Sequence, residues 1–135
     1  MSERPALLFA YGSLQLPEVF EAVTRQSRDG LPAVLEGFRR TKLKGFGFPA
    51  IVPVAGMETS GLVYTALEED AWRRLDAFED DFYDRKTVRV RLASGILLEA
   101  QTYVLSHQFL HLSLDESWSL DDLDTETLHK LLARL

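Results

Sequence analysis

Two short stretches carry residue types that can do chemistry together: Tyr11-Gly12-Ser13-Leu14, and Leu75-Asp76-Ala77-Phe78-Glu79 with Tyr83-Asp84-Arg85 just beyond it. The first ends an apolar run of strand length, residues 6–10, and precedes a helix start at Leu16-Pro17-Glu18. A tight turn between a strand and a helix presents unpaired backbone N–H groups at the positive end of a helix dipole, where they can hold a carboxylate or a developing oxyanion. The second stretch puts Glu79 at the end of an amphipathic helix, beside Phe78 and on the side of Leu75. A carboxylate next to apolar side chains is partly desolvated, and desolvation raises its pKa toward a range in which it both takes and returns a proton. Each stretch alone has an ordinary reading, a strand end with a turn and a solvated glutamate at a helix terminus.

The other reactive residue types lead less far. Asp80, Asp81 and Asp84 crowd one loop, but no Asp-x-Asp-x-Asp-Gly loop ending in Glu is present, so a solvated acidic turn is preferred to a metal site. His107 and His111 are four apart without the intervening Glu or third ligand of a metalloprotease-like zinc site. Ser13 is not in a Gly-x-Ser-x-Gly elbow, so its backbone N–H or a hydroxyl hydrogen bond is the expected contribution rather than nucleophilic attack. Neither a glycine-rich phosphate loop nor a dinucleotide fingerprint occurs, and the absence of cysteine removes disulfides and thiolate chemistry.

These residues need elements to position them. Val19, Phe20 and Val23 repeat at helical spacing from Pro17, with Asp29-Gly30 as the expected stop. Residues 33–43 read as a strand, in which Gly37 marks a bulge or a close backbone approach. Residues 45–53, dense in Gly, Pro and Phe, read as a loop leading into a short edge strand, because proline cannot donate to a central ladder; Phe46 and Phe48 wall a pocket or form satellite core. Gly56 begins a turn and residues 61–67 form a strand. Glu68-Glu69-Asp70 then opens a helix to about Phe78, with Ala71, Trp72, Leu75 and Phe78 on one face. Val88, Val90 and Leu92 alternate with Arg89 and Arg91, and Ser94-Gly95 turns the chain into a second strand over residues 96–105, giving a hairpin. Residues 106–120 are poorly patterned, and a terminal helix presents Leu128, Leu131, Leu132 and Leu135 on one face.

A chain of 135 residues with 46% hydrophobic content predicts one domain over residues 1–135. Its formal net charge of −6 argues against nucleic acid or an anionic membrane as partner. The local exception, the strip Arg39-Arg40-Thr41-Lys42-Leu43-Lys44, reads as the solvated face and end of a strand rather than an interaction surface. Residues 1–5 lack a signal-peptide pattern and no apolar run reaches membrane-spanning length, so a cytoplasmic location is the expectation. Oligomeric state is not legible.

The ordered set Tyr11-Gly12-Ser13-Leu14 after a buried strand, Phe48-Pro49-Ala50, Gly61-Leu62-Val63-Tyr64, Leu75-Asp76-Ala77-Phe78-Glu79, then Tyr83, Arg85 and the strand at Val88 resembles the gamma-glutamylcyclotransferase-like family in its AIG2-like branch. The resemblance runs through residues 6–105 and departs at Asp80, where relatives often carry glycine. It implies an α+β fold, a small mixed β-barrel with flanking helices, in which the Tyr11–Leu14 loop and Glu79 face each other across a cavity. It also implies cofactor-free release of 5-oxoproline from a small γ-glutamyl amine or amino acid. By that resemblance the backbone N–H groups of Gly12, Ser13 and Leu14 bind a substrate oxygen, Glu79 shuttles the proton, and Tyr83 and Arg85 shape the pocket or pair with a carboxylate. The alternative is a catalytically silent ligand-binding or regulatory domain of the same fold.

Overall fold

Five strands of this chain close on themselves, and the closure sets where every candidate residue can go. The computed structural model describes residues 7–134. Ala6 at the head of the expected first strand, residues 1–5, Leu135 of the expected helix face and the side chain of Asp80 lie outside what is described. The elements are β1 (Leu8–Ala10), α1 (Pro17–Thr24), β2 (Leu31–Leu43), β3 (Pro49–Tyr64), α2 (Glu69–Glu79), β4 (Tyr83–Leu92), β5 (Leu97–Leu105), β6 (Ser113–Ser117) and α3 (Thr125–Ala133). Short 3₁₀ turns occupy Ser13–Gln15, Asp80–Phe82, His107–Leu112 and Leu120–Asp122.

The strands run in the order β3-β1-β5-β4-β2, and a further β2–β3 pairing closes the barrel, with β6 added along β2. Only β1 and β5 pair in parallel, so the barrel is mixed. Alternation along β1 divides its side chains between two cores. Phe9 and Tyr11 join Leu35, Ile51, Val63, Val90 and Ala100, a set drawn from all five strands and therefore the barrel interior. Leu8 and Ala10 face the other way, onto Val19 and Phe20 of α1, Trp72 and Leu75 of α2 and Leu131 of α3. The helices thus cover one outer side of the barrel.

The β4–β5 hairpin forms as its alternation predicts, from Tyr83↔Leu105 to Arg91↔Leu97, with Gly95 at φ +92° in the turn. Gly37, at φ +86°, is a bulge: Glu36 faces Glu58 and Phe38 faces Pro53, so residues 54–57 stand opposite one glycine. Four expectations need correction. Helix α1 stops at Thr24, ahead of Asp29-Gly30, because Arg25 turns into the left-handed region and donates its N–H to the Glu21 carbonyl at 2.8 Å. Residues 49–53 are paired on one side only, as expected of an edge, but they begin the longest strand of the barrel and not a short one; its prolines are tolerated there because that half of β3 pairs only with β2, while β1 joins at residues 62–64. Gly56 lies within the residue 54–57 excursion of that same strand and does not separate two elements. Residues 106–120 hold a 3₁₀ helix and the strand β6.

The basic strip is not a solvated face throughout. Arg39 pairs with Asp115, and Arg40 turns into the structure, where Nε donates to the Trp118 carbonyl at 2.9 Å and Nη1 donates to the carbonyls of Tyr11 and Ser60 at 3.0 Å. One guanidinium therefore ties the end of β1 to β3 and to the C-terminal segment, a task suited to its rigid fork of donors. Arg40→Met is expected to cost about 2–3 kcal/mol by leaving those carbonyls without their donor, read as a melting temperature lowered by roughly 5–10 °C. No helix among the described residues is long and apolar enough to cross a membrane.

Candidate active site

β1 ends by delivering Tyr11 into the barrel interior, and the chain then turns at once. Gln15 N–H donates to the Gly12 carbonyl and Leu16 N–H to the Ser13 carbonyl, both at 3.0 Å, which closes the 3₁₀ turn before Pro17 opens α1. The Tyr64 hydroxyl pins the turn from below by donating to the Leu14 carbonyl at 2.9 Å. Inside it, the backbone N–H groups of Gly12, Ser13 and Leu14 have no acceptor among the described residues. Gly12 has little room for a side chain, since an added Cβ would lie 3.1 Å from the Pro49 ring.

A cavity of about 230 Å³ opens beside this turn, bounded by residues 9–14 on one side, Phe48 and Pro49 on another, and Phe78, Glu79, Phe82, Tyr83 and Tyr103 across from them. It is smaller than the roughly 300–1,000 Å³ of drug-sized sites and suits a small metabolite. Helix α2 brings Glu79 there because its apolar face, Ala71, Trp72 and Leu75, is pressed on the barrel. Glu79, one turn beyond Leu75, is carried to the same side.

Glu79 is half-buried, and among the described residues nothing hydrogen-bonds to it or pairs with it within 4.0 Å. Burial raises its pKa from the ordinary carboxylate range to about 8; nearby Asp76 adds to the rise and Arg134 opposes it. An unpaired carboxylate with such a pKa in a cavity has the properties of a proton shuttle at neutral pH.

Three tyrosines frame it, and each hydroxyl is already engaged as a donor: Tyr11 to the Tyr103 carbonyl at 2.6 Å, Tyr83 to the Pro49 carbonyl at 2.7 Å, and Tyr103 to Asp76 Oδ1 at 2.7 Å. Burial, first among the causes, raises the pKa of each well above the usual phenol value. They hold the wall in shape and stay neutral.

The structure therefore brings Tyr11, Gly12, Ser13, Leu14, Glu79 and Tyr83 to one cavity and leaves Arg85 outside its wall. Arg85 lies two residues after Tyr83, on the same face of β4 but farther along, where its Nε is 3.6 Å from Asp76 Oδ1 and its guanidinium sits 4.9 Å from the Trp72 ring. It reaches the cavity only through Asp76 and Tyr103. Of the two loop phenylalanines, Phe48 is wall, whereas Phe46 is half exposed and backs Phe48 and Phe82 at ring distances of 5.1 and 5.2 Å. His107 and His111 lie exposed on a 3₁₀ helix, whose period of three does not align residues four apart.

Tyr103, Phe82, Leu131 and Arg134 line the cavity without having been read from the sequence as site residues. A signal existed for Tyr103, because a tyrosine inside a buried apolar run needs a hydroxyl partner and marks a polar spot. Ser13 is 8% exposed and its hydroxyl makes no hydrogen bond among the described residues. Ser13→Ala is expected to keep kcat/KM within about 3-fold of wild type, since it leaves the N–H in place; steady-state kinetics checks this.

A family model described as gamma-glutamyl cyclotransferase, AIG2-like, matches residues 8–120. AIG2-like protein C of Arabidopsis thaliana is 44% identical over 98 residues, 72% of this chain and 57% of that protein, so the match spans little more than half of the relative's length. A solution structure of another Arabidopsis thaliana protein superposes with a TM-score of 0.73 at 28% identity, covering 96% of this chain and 86% of that one. A structure described as a gamma-glutamyl cyclotransferase shares the fold, with a TM-score of 0.68 at 21% identity over 76% of this chain and 68% of its own.

Proposed function

This chain belongs to the gamma-glutamyl cyclotransferase, AIG2-like family, and from that premise we propose that it releases 5-oxoproline from a γ-glutamyl amine or amino acid, with Glu79 as the general acid and base. The observation that supports this reading is one cavity holding both a desolvated Glu79 and the N–H groups of Gly12, Ser13 and Leu14, none of which has a partner among the described residues.

The substrate enters with its α-ammonium group protonated. Glu79 takes one proton, and the freed amine attacks the γ-carbonyl carbon of the same molecule. The carbonyl oxygen gathers negative charge as the five-membered ring closes, and the backbone N–H groups of the turn hold that charge. The bond from the γ-carbon to the departing nitrogen then breaks as Glu79 gives that nitrogen its proton; the ring nitrogen, left with two hydrogens by the attack, gives up the second to the again ionised Glu79, which passes it to the released amine. Products are 5-oxoproline and a free amine, and no water is consumed. Nucleophile and electrophile are already in one molecule, so the protein has to fold the substrate and carry protons from one nitrogen to the other. Arg85 has an indirect part, holding Asp76 and through it the Tyr103 hydroxyl.

A silent ligand-binding domain of the same fold has no use for an unpaired carboxylate beside apolar surface, which favours the enzyme. The pH dependence tests the reading. Glu79 must be ionised to act as base, so kcat/KM is expected to fall on acidification with an inflection near pH 8, and a second, alkaline limb comes from the substrate's own α-ammonium. A profile flat between pH 6 and 8 contradicts the role given to Glu79.

A further inference from the structure

The cavity wall has a side that the family match does not include. The match ends at residue 120, whereas Leu131 and Arg134, at and just after the end of α3, both line the cavity. The helix is held in place by several contacts. Leu131 is 8% exposed within the outer core, with Leu128 and Leu132 packed against it, and Asp124 caps its start by accepting from Thr127 N–H at 2.7 Å. Thr127 lies so close to the loop before β3 that a Cβ added to Gly47 would come within 2.8 Å of its Cγ2, and the Trp118 indole donates to the Gly47 carbonyl at 3.1 Å.

Arg134 is the one cation among the described lining residues. Its guanidinium lies 5.7 Å from the Phe78 ring, beside Glu79, and no carboxylate among the described residues comes within 4.0 Å of it. It is exposed, while Tyr11, Ser13, Leu14 and Tyr103 are 4–8% exposed. The cavity therefore has a buried end, with the turn and the tyrosines, and an open end that carries a positive charge. The proposed ring closure takes place where the turn and Glu79 meet, and the departing amine has to lie toward the open end.

We propose that Arg134 binds a carboxylate on the departing half of the substrate, so that the preferred substrates are γ-glutamyl α-amino acids and not γ-glutamyl amines that lack a carboxylate. This rests on the cyclotransferase reading above. A guanidinium on an aromatic face presents a planar pair of donors to a carboxylate, and a charge-assisted pair of this kind discriminates about 10–100-fold.

The test is a matched pair, γ-glutamylalanine and γ-glutamylethylamide, which differ by one carboxylate. Wild type is expected to favour γ-glutamylalanine in kcat/KM by about 10-fold or more, and Arg134→Gln to bring that ratio to within about 2-fold of unity, with Arg134→Lys in between. A ratio unchanged in Arg134→Gln overturns the proposal, and so does an equal loss on both substrates, which would put the arginine on the glutamyl half. Taking the ratio removes any shared effect of Arg134 on the ionisation of Glu79. Calorimetric binding of the same two compounds to Glu79→Gln protein, with and without Arg134→Gln, separates this proposal from the reaction itself. If neither compound yields 5-oxoproline but the binding preference disappears with the arginine, carboxylate recognition stands and the reaction does not; no binding preference overturns the recognition.

Discussion

Glu79→Gln is expected to lower kcat by about 1,000-fold or more while the folded protein melts no earlier than wild type. General acid–base catalysis is worth roughly 10²–10⁴-fold, and here one carboxylate both takes the proton from the α-ammonium and returns it to the departing nitrogen. Glutamine keeps the shape and loses both steps, so the residual rate should also lose the acid limb near pH 8. The stability effect has a definite sign. The folded-state pKa of Glu79 is raised to about 8 from an ordinary 4.5, so the folded protein keeps a proton that the unfolded chain gives up. Stability from this group is complete below pH 4.5 and is lost as the pH rises through 8. The glutamine variant escapes that loss. It should therefore match wild type at pH 5 and exceed it by about 1–3 kcal/mol at pH 9, a figure set below the full linkage value because the side chain is half-buried. Denaturant titrations at the two pH values check this, and a variant less stable at pH 9 contradicts the burial of the carboxylate.

Gly61→Ala is the second large effect, and it acts on the frame. Gly61 sits in β3 opposite Ala33, with β1 crossing on its other side. A Cβ there would stand 2.3 Å from the Ala10 carbonyl oxygen and 2.8 Å from Cζ of Phe9. The oxygen is backbone and cannot swing away, so β1 itself has to move. We expect a loss of about 3 kcal/mol or more, seen as a melting temperature lowered by at least roughly 10 °C or as insoluble protein. Because β1 carries Tyr11 and the turn that follows, whatever folds should also have lost turnover. Gly56→Ala is the control. Its φ of +84° carries strain, but nothing lies within 4 Å of the added methyl, so about 1 kcal/mol is expected with kinetics unchanged.

The sequence reads Gly56 as the start of a turn and Gly61 as the start of a strand, but the close approach of the Ala10 carbonyl to Gly61 could not be read from it. What was legible has a local cause. The strand, turn and helix at residues 8–24, the apolar face of α2 that carries Glu79, and the β4–β5 hairpin are all declared by side-chain periodicity and by Gly or Pro at their boundaries. The errors arose where tertiary context decides. Pro49 and Pro53 lack a donor, which excludes a ladder on both sides, and β3 is paired on one side only there. Arg40 looked like part of a charged strand face until the barrel brought the carbonyls of Tyr11, Ser60 and Trp118 around it.

The site divides in the same way. Tyr11, Gly12, Ser13, Leu14, Glu79 and Tyr83 meet as their motifs suggest. Tyr103 joins them through pairing with β1 and β4, across a distance in sequence that no local pattern records. Arg85 was grouped with Tyr83 by proximity in sequence and by the family resemblance, but two residues farther along the strand it lies against Trp72 and Asp76. Arg134 depends entirely on where α3 docks.

The most direct measurement is release of 5-oxoproline by the purified protein from a panel of γ-glutamyl amino acids and γ-glutamyl amines, including an ε-linked lysine, with Glu79→Gln run beside it. The predicted result is 5-oxoproline and free amine formed one for one by wild type on at least one member of the panel, and release about 1,000-fold or more slower by the variant. Folded wild-type protein that binds 5-oxoproline or a γ-glutamyl compound yet releases nothing from any of them would contradict the reaction; equal release by the variant would contradict the part given to Glu79.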